Sequence, residues 1–491
     1  MKWQGDEYEV IVLGSGFGGL IAGTYLSKEH HRVLLLKENP YHPSREEKGY
    51  RFVPFSNFSE KRIKVALLKR VSKELDFPLF IGDRGETRQG ETKLKKAKQK
   101  VAFQVILPKA RIDLFCQRPM LQMELEREFP KEVAQIENFY NEIEELQPLL
   151  KKEKAKEGPG SVFPIQSRSL IKRWWPIKAL PKGRMDERLA PFSREFREFL
   201  QLQLISRGNL FSDQFPISLA GYLLSHDEAD EWVSEIDLER LKEKILEKFF
   251  QTGGRIEEIG RVAKVEKGWR KGITLSLKGE ERTFRSKFLI FNSPLHCISN
   301  LLGKKKRRLS KWGRRIPPRY VLISLFLGIR EKVVPVGMRD LLVSISDLNK
   351  PYEGGNLLFI SLSQKGDESE APEGRRALIV ESLMIPKRWD PDLFVEHQKG
   401  VMKHLNHLFP FLEEHIEFTD WDYAGEQFSC WSYPHFLYET TSDFQWREGV
   451  VPNRISNNFY FIGKESFPYL GIEGEVLSGL IVAQQILEKY S

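Results

Sequence analysis

Tyr8-Glu9-Val10-Ile11-Val12-Leu13-Gly14-Ser15-Gly16-Phe17-Gly18-Gly19 is the stretch on which the reading of this chain turns. An apolar run passes into glycines and then into residues with helical spacing, which predicts a strand, a tight turn and a helix. Gly14 permits the turn. Gly16 lets the backbone approach a diphosphate, and Gly19 lets the helix pack on the strand. The helix is expected over 17–28, with Gly23 extending the close packing by one turn. Its first amides and its dipole would face the phosphates of a dinucleotide. A second apolar strand, Arg32-Val33-Leu34-Leu35-Leu36, completes the unit. A glycine-rich turn without a ligand is the other reading of the same residues.

At 491 residues, two or three interleaved domains are expected. A hydrophobic content of 41% supports a full core. Aromatic residues make up 12%, which suits a large apolar pocket, a membrane-facing surface or ordinary core. Cys116, Cys297 and Cys430 lie far apart with no CxxC and no Cys/His cluster. They read as reduced thiols, with no zinc or iron–sulfur site. The first strand starts close to the N-terminus, which predicts no secretory leader. No run approaches the roughly 20 apolar residues that span a bilayer. The expectation is a cytoplasmic protein, free or peripheral to a membrane.

The net charge of +9 is clustered. Basic runs occupy 93–100 and 304–308, and a third group, 168–184, is interleaved with Leu170, Ile171, Trp174 and Trp175. Basic residues mixed with Trp and Leu suit an anionic bilayer interface, and solvated faces are the alternative. No recognition motif accompanies the charge, so no nucleic-acid partner is expected.

Further along, strands are expected at 77–81 and 101–107. A helix is expected over 119–152, split by Pro130, and residues 193–225 read as helical again. A helix over 238–250 ends at Gly253-Gly254, followed by strands at 261–267, 272–278 and 288–291. Strands at 320–329, 341–345, 356–362 and 376–383 suggest a second sheet, followed by a helix near 394–408. A strand at 458–463 and a helix at 474–489 close the chain. The predicted class is α/β: a Rossmann-like FAD/NAD(P)-binding domain (6–60, 230–300 and 455–491) with an interleaved α+β substrate domain (61–229 and 301–454).

Four segments carry a resemblance to a known family. They are Gly14 to Leu20; Phe103 to Pro108 with Asp113-Leu114; Phe249 to Val265 with Phe288 to Pro294; and Tyr460-Phe461-Ile462-Gly463 through Pro468, Gly471-Ile472, Gly474 and Ser478-Gly479. The pattern resembles flavin-dependent oxidoreductases of the phytoene desaturase and carotenoid isomerase type, within the amine-oxidase-like group. The resemblance implies FAD bound by Gly14, Gly16, Phe17, Gly18 and Gly19, by Lys37, Glu38, Arg45 and Val262, and by Gly463, Lys464, Glu465, Gly471, Ile472 and Gly474. It also implies an apolar pocket and desaturation or isomerisation of an isoprenoid or polyene substrate.

The departures are specific. Lys37 stands where the family has its ribose-binding carboxylate, with Glu38 beside it. Pro43-Ser44-Arg45 replaces a Gly-Gly-Arg turn. Lys464, followed by Glu465, replaces an acid after the last strand. Either the lysines meet phosphate or the neighbouring acids substitute, or else the site has decayed or changed ligand. Lys37 would suit the 2′-phosphate of NADP. A degenerate flavoprotein fold that carries a lipid or a prenylated partner is the alternative function.

The resemblance also places Glu473 beside the flavin pyrimidine edge, where it would either oppose reduction or cap the last helix and point away. No catalytic residue is assigned. His435, among Tyr433 to Tyr438, and His296 read as structural, and Trp431 with Tyr433 only imitates the aromatic pair of amine oxidases.

Overall fold

The computed structural model describes residues 7–38, 45–52, 65–78, 101–151, 183–211, 216–224, 238–267, 272–299, 301–302, 306–386, 391–429, 435–439 and 450–490. Among these, seven strands form the first sheet, in the order Arg255–Ile259, Val33–Glu38, Glu7–Leu13, Thr283–Asn292, Ile273–Leu277 and Val262–Lys267. The seventh, Phe459–Ile462, runs parallel to the end of Thr283–Asn292. The four central pairings, including those of Glu7–Leu13 with its neighbours, are parallel. Helices cover such a sheet on both faces, and this explains why Val10 to Leu13 and Leu34 to Leu36 are apolar without alternation.

The opening helix forms at Phe17–Lys28, as its spacing predicts. The closing helix, Ile472–Leu487, crosses it at Gly18 and Gly479 with backbone against backbone. A Cβ on Gly479 would run into the Gly18 carbonyl oxygen, so neither glycine is replaceable by a larger residue without moving a helix. On the other side Phe249, from helix Leu238–Gln251, packs beneath Gly23.

The expected helix at 119–152 is indeed divided, into Arg118–Glu128 and Val133–Lys151. Elsewhere some elements differ from expectation. Phe77 and Pro78 form no strand, and they follow a helix, Val65–Leu75, in a stretch read as an insertion. Residues 79–81 lie outside the described residues. Arg255–Ile259 is a strand in its own right, paired with Val33–Glu38.

The second sheet runs Ala110–Phe115, Val101–Leu107, Leu341–Ile345, Leu357–Leu362, Arg375–Met384, Pro318–Arg330, His435–Glu439 and Leu210–Phe211 among the described residues. Ile416–Asp420 also pairs with Pro318–Arg330. Residues 45–52, inside the stretch 6–60 assigned to the nucleotide-binding domain, form a hairpin, Arg45–Glu47/Tyr50–Phe52, that packs on the second sheet. Its buried rings decide this: Phe52 stacks on Phe326 with centroids 5.0 Å apart, and the Arg51 amide donates to Glu370 O at 2.9 Å.

The basic run at 93–100, residues 304 and 305 of the run at 304–308, and most of the group at 168–184 lie outside the described residues, while 306–308 open the helix Lys306–Gly313. No described helix is long and apolar enough to cross a membrane.

Helix Pro391–Leu408 is fastened to the second sheet by two buried imidazoles. His397 Nε2 pairs with Ser382 Oγ at 2.7 Å and His404 Nε2 with Ser344 Oγ at 2.8 Å, while His404 Nδ1 donates to Gly355 O at 2.9 Å. Burial pushes both histidines down from 6.5 to about 4. Because the unfolded chain takes up these protons first, their stabilisation is complete above pH 6.5 and is lost as pH falls towards 4. Each should cost roughly 1.4 kcal/mol per pH unit across that window. Denaturant unfolding from pH 7 to 4.5 should show a flatter profile for the His397→Gln/His404→Gln double variant than for the native chain. Equal slopes would refute the assignment.

Candidate functional site

Three parallel strands end side by side at Leu13, Asn292 and Ile462. The chain leaves the first through Gly14, at φ 111°, where the amide donates to Leu36 O at 2.9 Å and a Cβ would strike Asn292 O. That backbone shape is open to glycine and closed to most other residues. The opening helix then starts with its amides directed across the strand ends.

Those amides are already partnered. Gly19 N–H donates to Asn292 Oδ1 at 3.1 Å, and Gly18 N–H donates to Glu475 Oε1 at 3.2 Å. Asn292 Nδ2 donates to the same Glu475 oxygen at 3.0 Å and to Ile462 O at 3.3 Å. The Glu475 oxygen also lies where a Cβ on Gly16 would go. Glu475 is only 8% exposed. A carboxylate of the chain therefore fills the cradle that the glycine spacing reserves for a diphosphate. The attraction is that of any anion for a helix N-terminus.

The other expected contacts fall as follows. Phe17 is half-buried beside the turn. Lys37 Nζ pairs with Glu258 Oε1 at 3.0 Å on the adjoining strand. The Glu38 backbone aligns with Ile259, and Val262 begins the edge strand three residues later. Arg45, expected beside the turn, is instead committed to the second sheet, its Nε 2.7 Å from the largely buried Asp420 carboxylate.

Gly463 and half-buried Lys464 follow the closing strand. Glu465 was offered as a substitute acid for the cofactor. Its carboxylate instead accepts the Leu295 amide at 2.8 Å and bonds Tyr438, and burial pushes its pKa up. Gly471 is the N-cap of the closing helix, and Ile472 and Gly474 are buried in its first turn. Glu473, 3% exposed, does not point away to solvent. It lies by Tyr469, whose hydroxyl is driven well above its ordinary range by burial, by Tyr222 and by Glu473. The side chains of His296, Trp431, Tyr433 and His435 lie outside the described residues.

The two chain ends thus meet at the glycine turn, and Asn292 and Glu475 are the residues that join them. Neither was singled out from the sequence. The available signal was slight: Asn292 is the first polar residue after an apolar run, and Glu475 is an acid in a helix's first turn. The turn, its amides and the closing helix fit a dinucleotide. The Glu475 carboxylate does not fit, since it takes the diphosphate's donors and repels its charge.

Comparison with known proteins agrees with the architecture. Residues 183–487 match the family described as flavin-containing amine oxidoreductases. No curated protein matches the chain. An oxidoreductase structure from Methanosarcina mazei aligns over 98% of this chain and 100% of its own, with a TM-score of 0.58 at 16% identity. Putrescine oxidase bound to putrescine gives 0.59 at 13% over 98% and 99% of the two chains. Cyclohexylamine oxidase from Brevibacterium oxydans gives 0.52 at 14% over the same shares. Identities this low speak for the fold alone.

Asn292→Asp should destabilise the protein by roughly 3 kcal/mol, because it removes a donor and sets a second carboxylate against Glu475 in a buried site. Chemical denaturation measures this, and a loss under about 1 kcal/mol would show that Asn292 does not hold the junction.

Proposed function

Because the chain belongs to the family of flavin-containing amine oxidoreductases, we propose that it is an FAD-dependent oxidoreductase acting on an apolar, isoprenoid-like substrate drawn from a membrane surface. The observation that carries this reading is the arrival of the C-terminal helix at the N-terminal glycine turn, which assembles one dinucleotide cradle from both chain ends. Family membership supports FAD as the cofactor. The residue that suggested NADP, Lys37, is engaged by Glu258.

When bound, FAD would supply the acceptor for a hydride or electron pair. The chain's own residues would bind and orient. The opening-helix amides would hold the diphosphate once Glu475 has moved aside. Tyr469 with Tyr222, and the buried Tyr438, offer ring surface that excludes water near the closing helix. Glu473 stands beside Tyr469 and Glu465 bonds Tyr438, so the apolar substrate class rests on the family resemblance of the sequence and not on an absence of charge at these rings.

A second reading, a carrier of a lipid or a prenylated partner without redox turnover, is favoured by the Glu475 carboxylate at the turn. One experiment separates them. The purified protein is incubated with FAD, freed of excess, and mixed without oxygen with a carotenoid precursor in anionic vesicles, and separately with putrescine and cyclohexylamine. Bleaching of a bound flavin by the polyene supports the proposal. Bleaching by the amines alone replaces the substrate class. Vesicle-lipid binding with no flavin reduction supports the carrier.

A further inference from the structure

We propose that Glu475 is an internal competitor for the cofactor's diphosphate, so that FAD loads only by displacing this carboxylate from the opening helix. The proposal rests on the FAD reading above and concerns how that same site is controlled.

Two donors, Gly18 N–H and Asn292 Nδ2, converge on one oxygen of Glu475. They sit at the N-terminus of a 12-residue helix, in a place largely closed to water. A diphosphate oxygen resting on Gly16 would need the same amide and the same space. Both anions cannot be held there: their charges would face each other across a few ångströms of low-dielectric interior.

Retreat of the whole closing helix does not solve the conflict. Gly479 is locked against the Gly18 backbone, and a shift of the helix would also break the contact between Glu475 O and Gly18. Displacement therefore falls to the Glu475 side chain, by rotation about its own bonds, with Asn292 left to donate to the incoming phosphate. In the absence of cofactor the carboxylate satisfies donors that would otherwise be buried and unpaired, so the same residue that weakens binding steadies the empty protein.

The test uses the full chain stripped of cofactor, as native protein, E475A and E475Q. FAD binding is read by quenching of flavin fluorescence. ADP, which carries the adenosine and diphosphate without the flavin ring, is read by calorimetry. E475A should bind both ligands about 10- to 100-fold tighter than the native chain. E475Q, which keeps the shape and loses the charge, should fall between. Without ligand, E475A should melt at a lower temperature than the native protein.

Equal FAD affinity across the folded variants overturns the competition and leaves the cofactor assignment standing. Tighter FAD with unchanged ADP also overturns it, because the effect would then lie away from the diphosphate. Failure of all three to bind FAD overturns the competition and the cofactor reading together. If E475A does not fold, E475Q decides.

Discussion

The Asn292 carboxamide is the joint on which this architecture closes. Its oxygen holds the opening helix at Gly19, and its nitrogen holds both the closing strand at Ile462 and the closing helix at Glu475. Three segments, lying 273, 170 and 183 residues away from it in the chain, are tied to one planar group at the end of the central strand. A buried polar group is stabilising only when its donors and acceptors are all met, and here the fold itself supplies the partners. The crossing of Gly18 and Gly479 brings the helices close enough for this to happen.

The first sheet was legible in the sequence because its signals are local. Glycines at fixed offsets behind an apolar run specify a strand, a turn and a helix, and the helix found at Phe17–Lys28 has the expected limits. Pro130 likewise announced its break. The strand Arg255–Ile259 was less visible: its residues are largely polar, and it is made a strand by pairing with Val33–Glu38.

The site was legible only in outline. The expectation that the two chain ends meet followed from glycine patterns at both. What fills the meeting point did not, because the bond from Gly18 to Glu475 spans 457 positions and no local rule links them. Arg45 shows the opposite failure. Its place in the order of segments suggested a phosphate contact, yet the buried rings of Tyr50 and Phe52 carry its hairpin to the other sheet, where Asp420 is waiting. Glu465 was an acid in an apt position, but the Leu295 amide and Tyr438 claim it.

The placement of Phe459–Ile462 and Ile472–Leu487 has a consequence for biogenesis. The central strand Thr283–Asn292 keeps one flank of its end unpaired until residues 458–462 leave the ribosome, since Leu289 N–H bonds to Asn458 O and Ile290 aligns with Tyr460. A nascent chain must therefore carry an open sheet edge from residue 292 to residue 458, and the Gly18 amide at the start of the opening helix waits for Glu475. Such long-range closure is slow and leaves sticky surface exposed. Translation that stopped before residue 458 would leave the strand edge open and the Gly18 amide without its Glu475 partner, however much of that domain had already been made.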